Sequence, residues 1–340
     1  MKTKILEINP KKIDLTKIKI AAEEIKKGNL VAFPTETVYG LGADALNEKA
    51  VAKIFQAKER PFNDPLIAHI ADIKELYRLS RQVPPLSLKL AKAFWPGPLT
   101  LVLKKSELVS DIVTADLDTV AVRMPADNIA LSLIREAKTP IAAPSANLFG
   151  KTSPTTAQHV VDDLGGKIEM IIDGGKTKVG VESTVLDVTV EPVRVLRAGG
   201  ISVEKLEEVI GQVKMSKELE EGFRSPGMLN SHYSPQAKLI LVEKKGDAQV
   251  GEVRRLASKY IAQELKVGIM AKEENQNKYN GFEFKVIGKG SELDVCATNL
   301  FSTLRSFDKE GFEIIIAEGL EEHDLGLAIM ERLRKAAAPK

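Results

Sequence analysis

The apolar run Leu30-Val31-Ala32-Phe33 stops at Pro34 and gives way to Thr35, Glu36, Thr37 and Tyr39, with glycines at 40 and 42. A proline cannot donate to a sheet ladder, so it closes the strand. The sequence therefore predicts a short buried strand that delivers hydroxyls, a carboxylate and glycines to one place. Functional side chains are commonly carried on the loop that follows such a rigid element. Two later stretches have the same character. Lys58-Glu59-Arg60-Pro61 holds two cations, and Pro144-Ser145-Ala146-Asn147 ends another strand in small polar side chains. These three stretches are expected to meet.

With 340 residues the chain exceeds one ordinary core, and two domains are expected. A net charge of +2 creates no bulk field for nucleic acid or membrane, although a local basic cleft stays possible. One cysteine, Cys296, excludes an intramolecular disulfide and a cysteine metal cluster. The four histidines, at 69, 159, 232 and 323, are far apart in sequence, so no metal site is assigned to protein side chains. The N-terminal segment lacks the apolar core of a signal peptide and no run approaches a membrane span. A cytoplasmic protein is expected.

Periodicity predicts helices over 18–27, 48–57, 73–79, 86–94 and 128–137, and strands over 66–70, 99–103, 119–123 and 141–143. Ser153-Pro154-Thr155 reads as an N-cap with proline in the first turn of a helix running to Val161. Strands over 170–172, 184–188 and 193–196 and a helix over 203–210 follow. The order is α/β without the regular alternation of a doubly wound sheet. Residues 214–237, with Ser225-Pro226-Gly227 and Ser234-Pro235, read as a linker. Beyond it, strands over 239–242, 267–270, 282–287 and 312–317 alternate with helices over 250–262, 293–307 and 325–333. That pattern predicts a small open parallel sheet. The domains are therefore drawn at 1–213 and 238–340.

Two nucleotide motifs fail on inspection. Gly174-Gly175-Lys176-Thr177 resembles the end of a phosphate-binding loop, but Met170 stands where its first glycine belongs. Gly40-Leu41-Gly42 lacks the third glycine of a dinucleotide fingerprint. Taken singly, Lys58 and Arg60 read as solvated charge, Ser145 and Asn147 as a capped turn, and His69 as a satisfied core histidine. Arg123 and Arg197 end apolar strands, where a cation calls for a carboxylate or phosphate. An arginine fork beside a lysine point charge also suits phosphate.

The ordered set PTETVYGLG, KERP, WPGPLTLVL, VAVRMP, APSAN, GVESTV and LRAGG resembles the YrdC-like domain of L-threonylcarbamoyl-AMP synthases over about residues 18–210. SPGMLNSHYSP resembles the linker of the two-domain form, and DLGLAIMERLRKAA the end of its C-terminal domain. Leu229-Asn230 and Glu331 depart from the usual pattern. The resemblance implies a YrdC-like twisted mixed sheet, with a second, smaller Rossmann-like parallel α/β domain. It implies that L-threonine, bicarbonate and ATP, with Mg²⁺, give threonylcarbamoyl-AMP and pyrophosphate. A separate threonylcarbamoyl transferase complex would then modify the adenosine beside the tRNA anticodon, so any tRNA contact of this chain is indirect or weak.

The same resemblance implies roles. Lys58 and Arg60 are expected on the phosphates as the catalytic cations, and Ser145 and Asn147 on the nucleotide. Arg123 is expected on the threonine carboxylate, with Thr35, His69, Ala143 and Ser183 completing that pocket. Thr119, Ser153 and Arg197 are nucleotide-side candidates. Tyr233, in the linker, is expected beside the nucleotide under a lid. A tRNA or double-stranded-RNA binding module is the alternative, and the near-neutral charge gives it little support. A hydrogenase-maturation carbamoyl transferase shares the domain type but carries cysteine-rich zinc modules, which a single cysteine cannot supply. A purely structural role would leave the cation stretch unexplained.

Overall fold

The computed structural model describes residues 2–216 and 233–338. Within these limits the chain divides into two compact units. The first comprises residues 2–149, 153–178 and 182–216, and the second comprises 150–152, 179–181 and 233–338.

The strands of the first unit are β1 (Lys4–Glu7), β2 (Val31–Phe33), β3 (Gly40–Asp44), β4 (Ile67–His69), β5 (Ser80–Gln82) and β6 (Leu99–Lys105). They continue with β7 (Thr119–Arg123), β8 (Ile141–Ala142), β9 (Met170–Asp173), β10 (Thr184–Asp187), β11 (Arg194–Arg197) and β12 (Lys214–Met215). They form one mixed sheet in the order β1-β9-β2-β3-β8-β4-β7-β6-β10-β11-β12, with β5 beside β6. Its helices are α1 (Leu15–Lys26), α2 (Glu48–Lys58), α3 (Glu75–Leu79), α4 (Pro85–Phe94), α5 (Asp111–Thr114), α6 (Asn128–Ala137), α7 (Ala157–Leu164) and α8 (Val203–Ile210).

The strand β2 is apolar throughout because both its faces are covered. Val31 and Phe33 join a core with Ile18, Ala22 and Ile25 of α1 and Ile129 and Leu133 of α6. Leu30 and Ala32 point the other way, into a core with Val51, Ile54 and Phe55 of α2 and Val160 of α7. Alternation along the strand assigns successive residues to opposite faces.

Two local expectations are overturned. The glycines at 40 and 42 belong to β3, which folds back antiparallel on β2 with Val31 opposite Gly42 and Phe33 opposite Gly40. A Cβ at Gly42 would stand 2.7 Å from the Phe33 ring and 2.8 Å from Ile141 Cγ2, so packing demands that glycine. The helix expected from Ser153-Pro154-Thr155 starts later, at Ala157, where the Thr156 hydroxyl accepts from the His159 N–H. The earlier residues are engaged elsewhere. Pro154 O accepts from Tyr39 N, Thr155 O accepts from Thr177 N, and Ser153 Oγ donates to Glu182.

The predicted linker begins as structure: Lys214 and Met215 add to β11 in parallel. Residues 217–232 of it, including the Ser225-Pro226-Gly227 turn, His232 and the body of the expected lid, lie outside the described residues.

The second unit contains β13 (Lys238–Val242), α9 (Gly246–Ile261), β14 (Val267–Lys272), a 3-10 turn over Glu273–Tyr279, β15 (Phe284–Gly288), α10 (Leu293–Lys309), β16 (Ile314–Glu318) and α11 (Gly326–Ala337). Its strands are all parallel, in the order β13-β16-β14-β15. The sequence pattern had placed each of these strands and helices with offsets at their ends. No helix among the described residues is long and apolar enough to cross a membrane.

Candidate active site

The turn after β2 is held by its own hydroxyls. Thr35 Oγ1 donates to Val38 O at 2.7 Å and accepts from the backbone N–H groups of Thr37 and Val38. Its lone hydrogen is thereby spent, so Thr37 Oγ1 donates to it across 2.8 Å and accepts from Arg123 Nη2 at 3.0 Å. Arg123 ends β7, and the same Nη2 stands 2.7 Å from Glu36 Oε1 in an ion pair with both side chains buried. Its Nε reaches Gly97 O at 3.4 Å. The remaining nitrogen, Nη1, makes no hydrogen bond among the described residues.

Parallel pairing of β4 with β7 puts His69 directly opposite Arg123. The imidazole meets Phe33 edge to face, and Nδ1 lies 3.1 Å from Ile67 O. Burial, and then the Arg123 charge, push the His69 pKa down to about 3. The folded chain thus keeps this ring neutral, while the unfolded chain protonates it near 6.5. Its contribution to stability is complete above pH ~6.5 and is lost as pH falls from there toward 3. The loss runs at about 1.4 kcal/mol per pH unit for one such group. Urea midpoints measured at pH 7.5, 6 and 5 should therefore fall more steeply for the wild type than for His69→Asn; parallel profiles would contradict a neutral imidazole.

On the other side, β6 runs antiparallel to β7 with Thr100 opposite Arg123, and parallel to β10 with Leu99 opposite Thr184. Ser183, just before β10, therefore arrives beside Thr100, and their hydroxyls are 2.7 Å apart. Arg197 at the end of β11 donates from Nη2 to Ser183 O (2.9 Å) and Oγ (3.1 Å). The following loop passes so close that a Cβ on Gly199 would sit 2.3 Å from the Ser183 carbonyl carbon. Ser153 Oγ closes this side at 2.5 Å from Glu182 Oε1.

The cation stretch is turned inward. Lys58 is the last residue of α2, and Glu59 takes a left-handed φ of 54°, redirecting the chain at once. Lys58, 1% exposed, donates from Nζ to the carbonyls of Ser145 and Asn147, each at 2.6 Å. Burial first, and then the neighbouring Arg60 charge, push its pKa well below the ordinary lysine value. Arg60 is also buried, bonded to the carbonyls of Asp64 and Pro65 and paired with the Asp64 carboxylate at 2.9 Å. Neither cation is ordinary solvated charge. Ser145 Oγ donates to Asn147 Oδ1, and the Asn147 amide donates to Leu148 O. Ser145 also bridges to Gly40, so the Pro144–Asn147 stretch lies against the start of β3.

The structure thus gathers Thr35, His69, Arg123, Ser183 and Arg197 around the ends of β2, β4, β7 and β11. Ala143 borders the group, its N–H bonded to Ile67 O. Thr119 is not brought in. It opens β7 opposite Lys104, four residues from Arg123, which is about 13 Å at strand rise. Tyr233 belongs to the second unit, where it is buried, stacked on Phe301 at 5.6 Å and capped by the Arg332 guanidinium. Sequence reasoning missed the partners. Glu36 and Thr37 were in view beside Thr35 but had no assigned counter-charge, Thr100 was hidden inside an apolar strand, and Asp64 lay in a loop. No group of three metal-ligating side chains converges among the described residues.

Known proteins resemble this chain over nearly its whole length. A family model described as Telomere recombination matches residues 23–199, and one described as Threonylcarbamoyl-AMP synthase, C-terminal domain, matches residues 201–338. A Pyrococcus abyssi threonylcarbamoyl-AMP synthase is 50% identical over 96% of this chain and 95% of its own. A Bacillus subtilis protein of the same name is 47% identical over 93% and 92%. The crystal structure of P. abyssi Sua5 complexed with L-threonine matches with a TM-score of 0.93 at 49% identity, covering 98% of each chain. The chain belongs to the threonylcarbamoyl-AMP synthase family, whose members use ATP and transfer an adenylyl group.

Proposed function

We propose that the first unit joins L-threonine, bicarbonate and ATP into threonylcarbamoyl-AMP. The threonine amine and bicarbonate give the N-carboxy derivative and water. A carbamate oxygen then attacks the α-phosphorus, its bond to the bridging oxygen of the β-phosphate breaks, and pyrophosphate leaves. An anion must approach an anion, so positioning and charge neutralisation carry the rate. The observation that supports this reading is the buried cluster of Arg123, neutral His69 and the hydroxyls of Thr35 and Ser183. A zwitterionic hydroxy-amino acid suits that set: Nη1 of Arg123 can take its carboxylate, and the neutral imidazole does not repel its amine.

On the nucleotide side, Ser145, Asn147, Ser153 and Arg197 border the space for ATP. Lys58 acts through the Pro144–Asn147 stretch it holds, with its third proton left for phosphate, and Arg60 adds positive field from behind. The nearby carboxylates are spoken for: Glu36 by Arg123, Asp64 by Arg60 and Glu182 by Ser153. Mg²⁺ therefore enters as the MgATP substrate, ligated by phosphate oxygens. The product passes to a separate transferase that modifies tRNA in the cytoplasm. Pyrophosphate release should require threonine and bicarbonate together, and omission of either should bring it to background. Release of ADP and phosphate, or turnover without threonine, would sink the reading.

A further inference from the structure

The second unit contains a cavity of about 210 Å³ at the carboxyl edge of its parallel sheet. It is walled by the turn after β13 (residues 243–246), by Lys272 at the end of β14 and by Gly319 after β16. The strand order puts β16 between β13 and β14. From β14 the chain goes outward to β15, while from β16 it goes the other way, into α11, which packs against β13. Neighbouring parallel strands whose connections diverge leave a crevice between their loops, and in open α/β sheets that crevice is where ligands bind.

The polar groups in this crevice are fixed in direction. Gln249 is 1% exposed and donates both amide protons, to Val242 O at 2.8 Å and Gly319 O at 3.0 Å. Its oxygen is thereby aimed at Lys272, whose Nζ donates to it at 2.8 Å. That neutral oxygen is the only hydrogen-bond partner of the Lys272 ammonium among the described residues, and the Lys272 charge also acts on Glu321. The acids nearby are committed elsewhere. Glu243 pairs with Arg334 at 2.6 Å, Glu321 with Lys245 at 2.8 Å, and Glu274 accepts from Gly290 N. Glu318 is enclosed by Lys272 N, Asn275 and the Tyr279 hydroxyl. Beside Lys272, α9 opens with Gly246, which has open space where a Cβ would be, and no side chain caps its first turn.

We propose that this crevice binds the phosphate group of a small phosphorylated molecule. A positioned cation in no direct ion pair, its ammonium bonded to a neutral oxygen and lining an open cavity with the first turn of α9, has the chemistry of a phosphate cradle. Donors arriving from separate elements suit a tetrahedral anion better than a planar carboxylate. The volume lies below that of ordinary ligand pockets, about 300 Å³ and upward, so the phosphate would be enclosed and the remainder of the molecule would extend from the mouth. The site draws on no residue of the first unit and is independent of the reaction proposed above.

The test uses the full-length chain, isotope-labelled and read by the amide resonances of Gly246, Asp247 and Gly319 during titration with inorganic phosphate and, separately, AMP. Those amides should shift saturably. Lys272→Met should raise the half-saturation concentration about tenfold or more, and Lys272→Arg should hold it within about threefold. Tighter saturation by AMP would point to a phosphorylated nucleoside as the occupant, and equal saturation to the bare anion. No shift of these amides with either probe would overturn the proposal. Half-saturation unchanged in Lys272→Met, or weakened equally in both variants, would also overturn it.

Discussion

Replacing Arg123 by alanine is expected to cost the first unit about 3–5 kcal/mol, the usual penalty for stranding one member of a buried ion pair. Glu36 is 6% exposed, and Arg123 stands 2.7 Å from one of its oxygens. Among the described residues neither carboxylate oxygen has an aligned hydrogen bond, and Arg123 is the cation paired with that buried charge. The substitution also removes the donor to Thr37 and frees the turn that carries Thr35. Stability and ligand binding can be separated. Glu36→Gln combined with Arg123→Met removes both charges together, and should recover more than half of the lost stability while leaving threonine-dependent pyrophosphate release at background. Urea unfolding and turnover of the two variants check this. A loss below about 1 kcal/mol in Arg123→Ala would show that the pair is dispensable.

How much of this site could be read in the chain depends on the range of the interaction involved. The apolar face of α1, with Ile18, Ala21, Ala22 and Ile25 inward, was legible because helix periodicity is local. The second unit was legible for the same reason, since buried parallel strands and amphipathic helices alternate in it. What failed depended on partners distant in sequence. Gly42 looked like a loop glycine, and only Phe33 and Ile141 across the sheet show why it must lack a side chain within a strand. Ser153 looked like a helix cap, but Glu182, 29 residues away, takes its hydroxyl. Thr119 shares a strand with Arg123, and no local signal says which end of that strand faces the cluster; the register against β6 decides it. Taken singly, Lys58 and Arg60 read as solvated charge. Their inward turn depends on the left-handed residue Glu59 and on two carbonyls at positions 145 and 147.

Those carbonyls set up the second large effect, in Lys58→Met. Methionine keeps most of the alkyl stem, so the core beside Phe55 and α2 should stay filled, and only the donors disappear. The Ser145 and Asn147 carbonyl oxygens both lie 2.6 Å from Nζ, and without the ammonium these two acceptors would face each other unshielded. They should separate, taking with them the Ser145 hydroxyl and the Asn147 amide, which are joined to one another at 2.6 Å. Hydrogen bonds from a charged donor are worth about 1.5–3 kcal/mol each, so losing two predicts a fall in kcat of about a hundredfold or more. The KM for threonine should change far less, because Thr35, His69 and Arg123 are anchored on β2, β4 and β7 and none bonds to this stretch. A structural role alone would lower the melting temperature and leave the rate of the folded fraction intact. Steady-state pyrophosphate release well below the melting temperature separates the two. Wild-type kcat in folded Lys58→Met would show that the Pro144–Asn147 stretch keeps its place without the lysine, and that ATP is positioned by other groups.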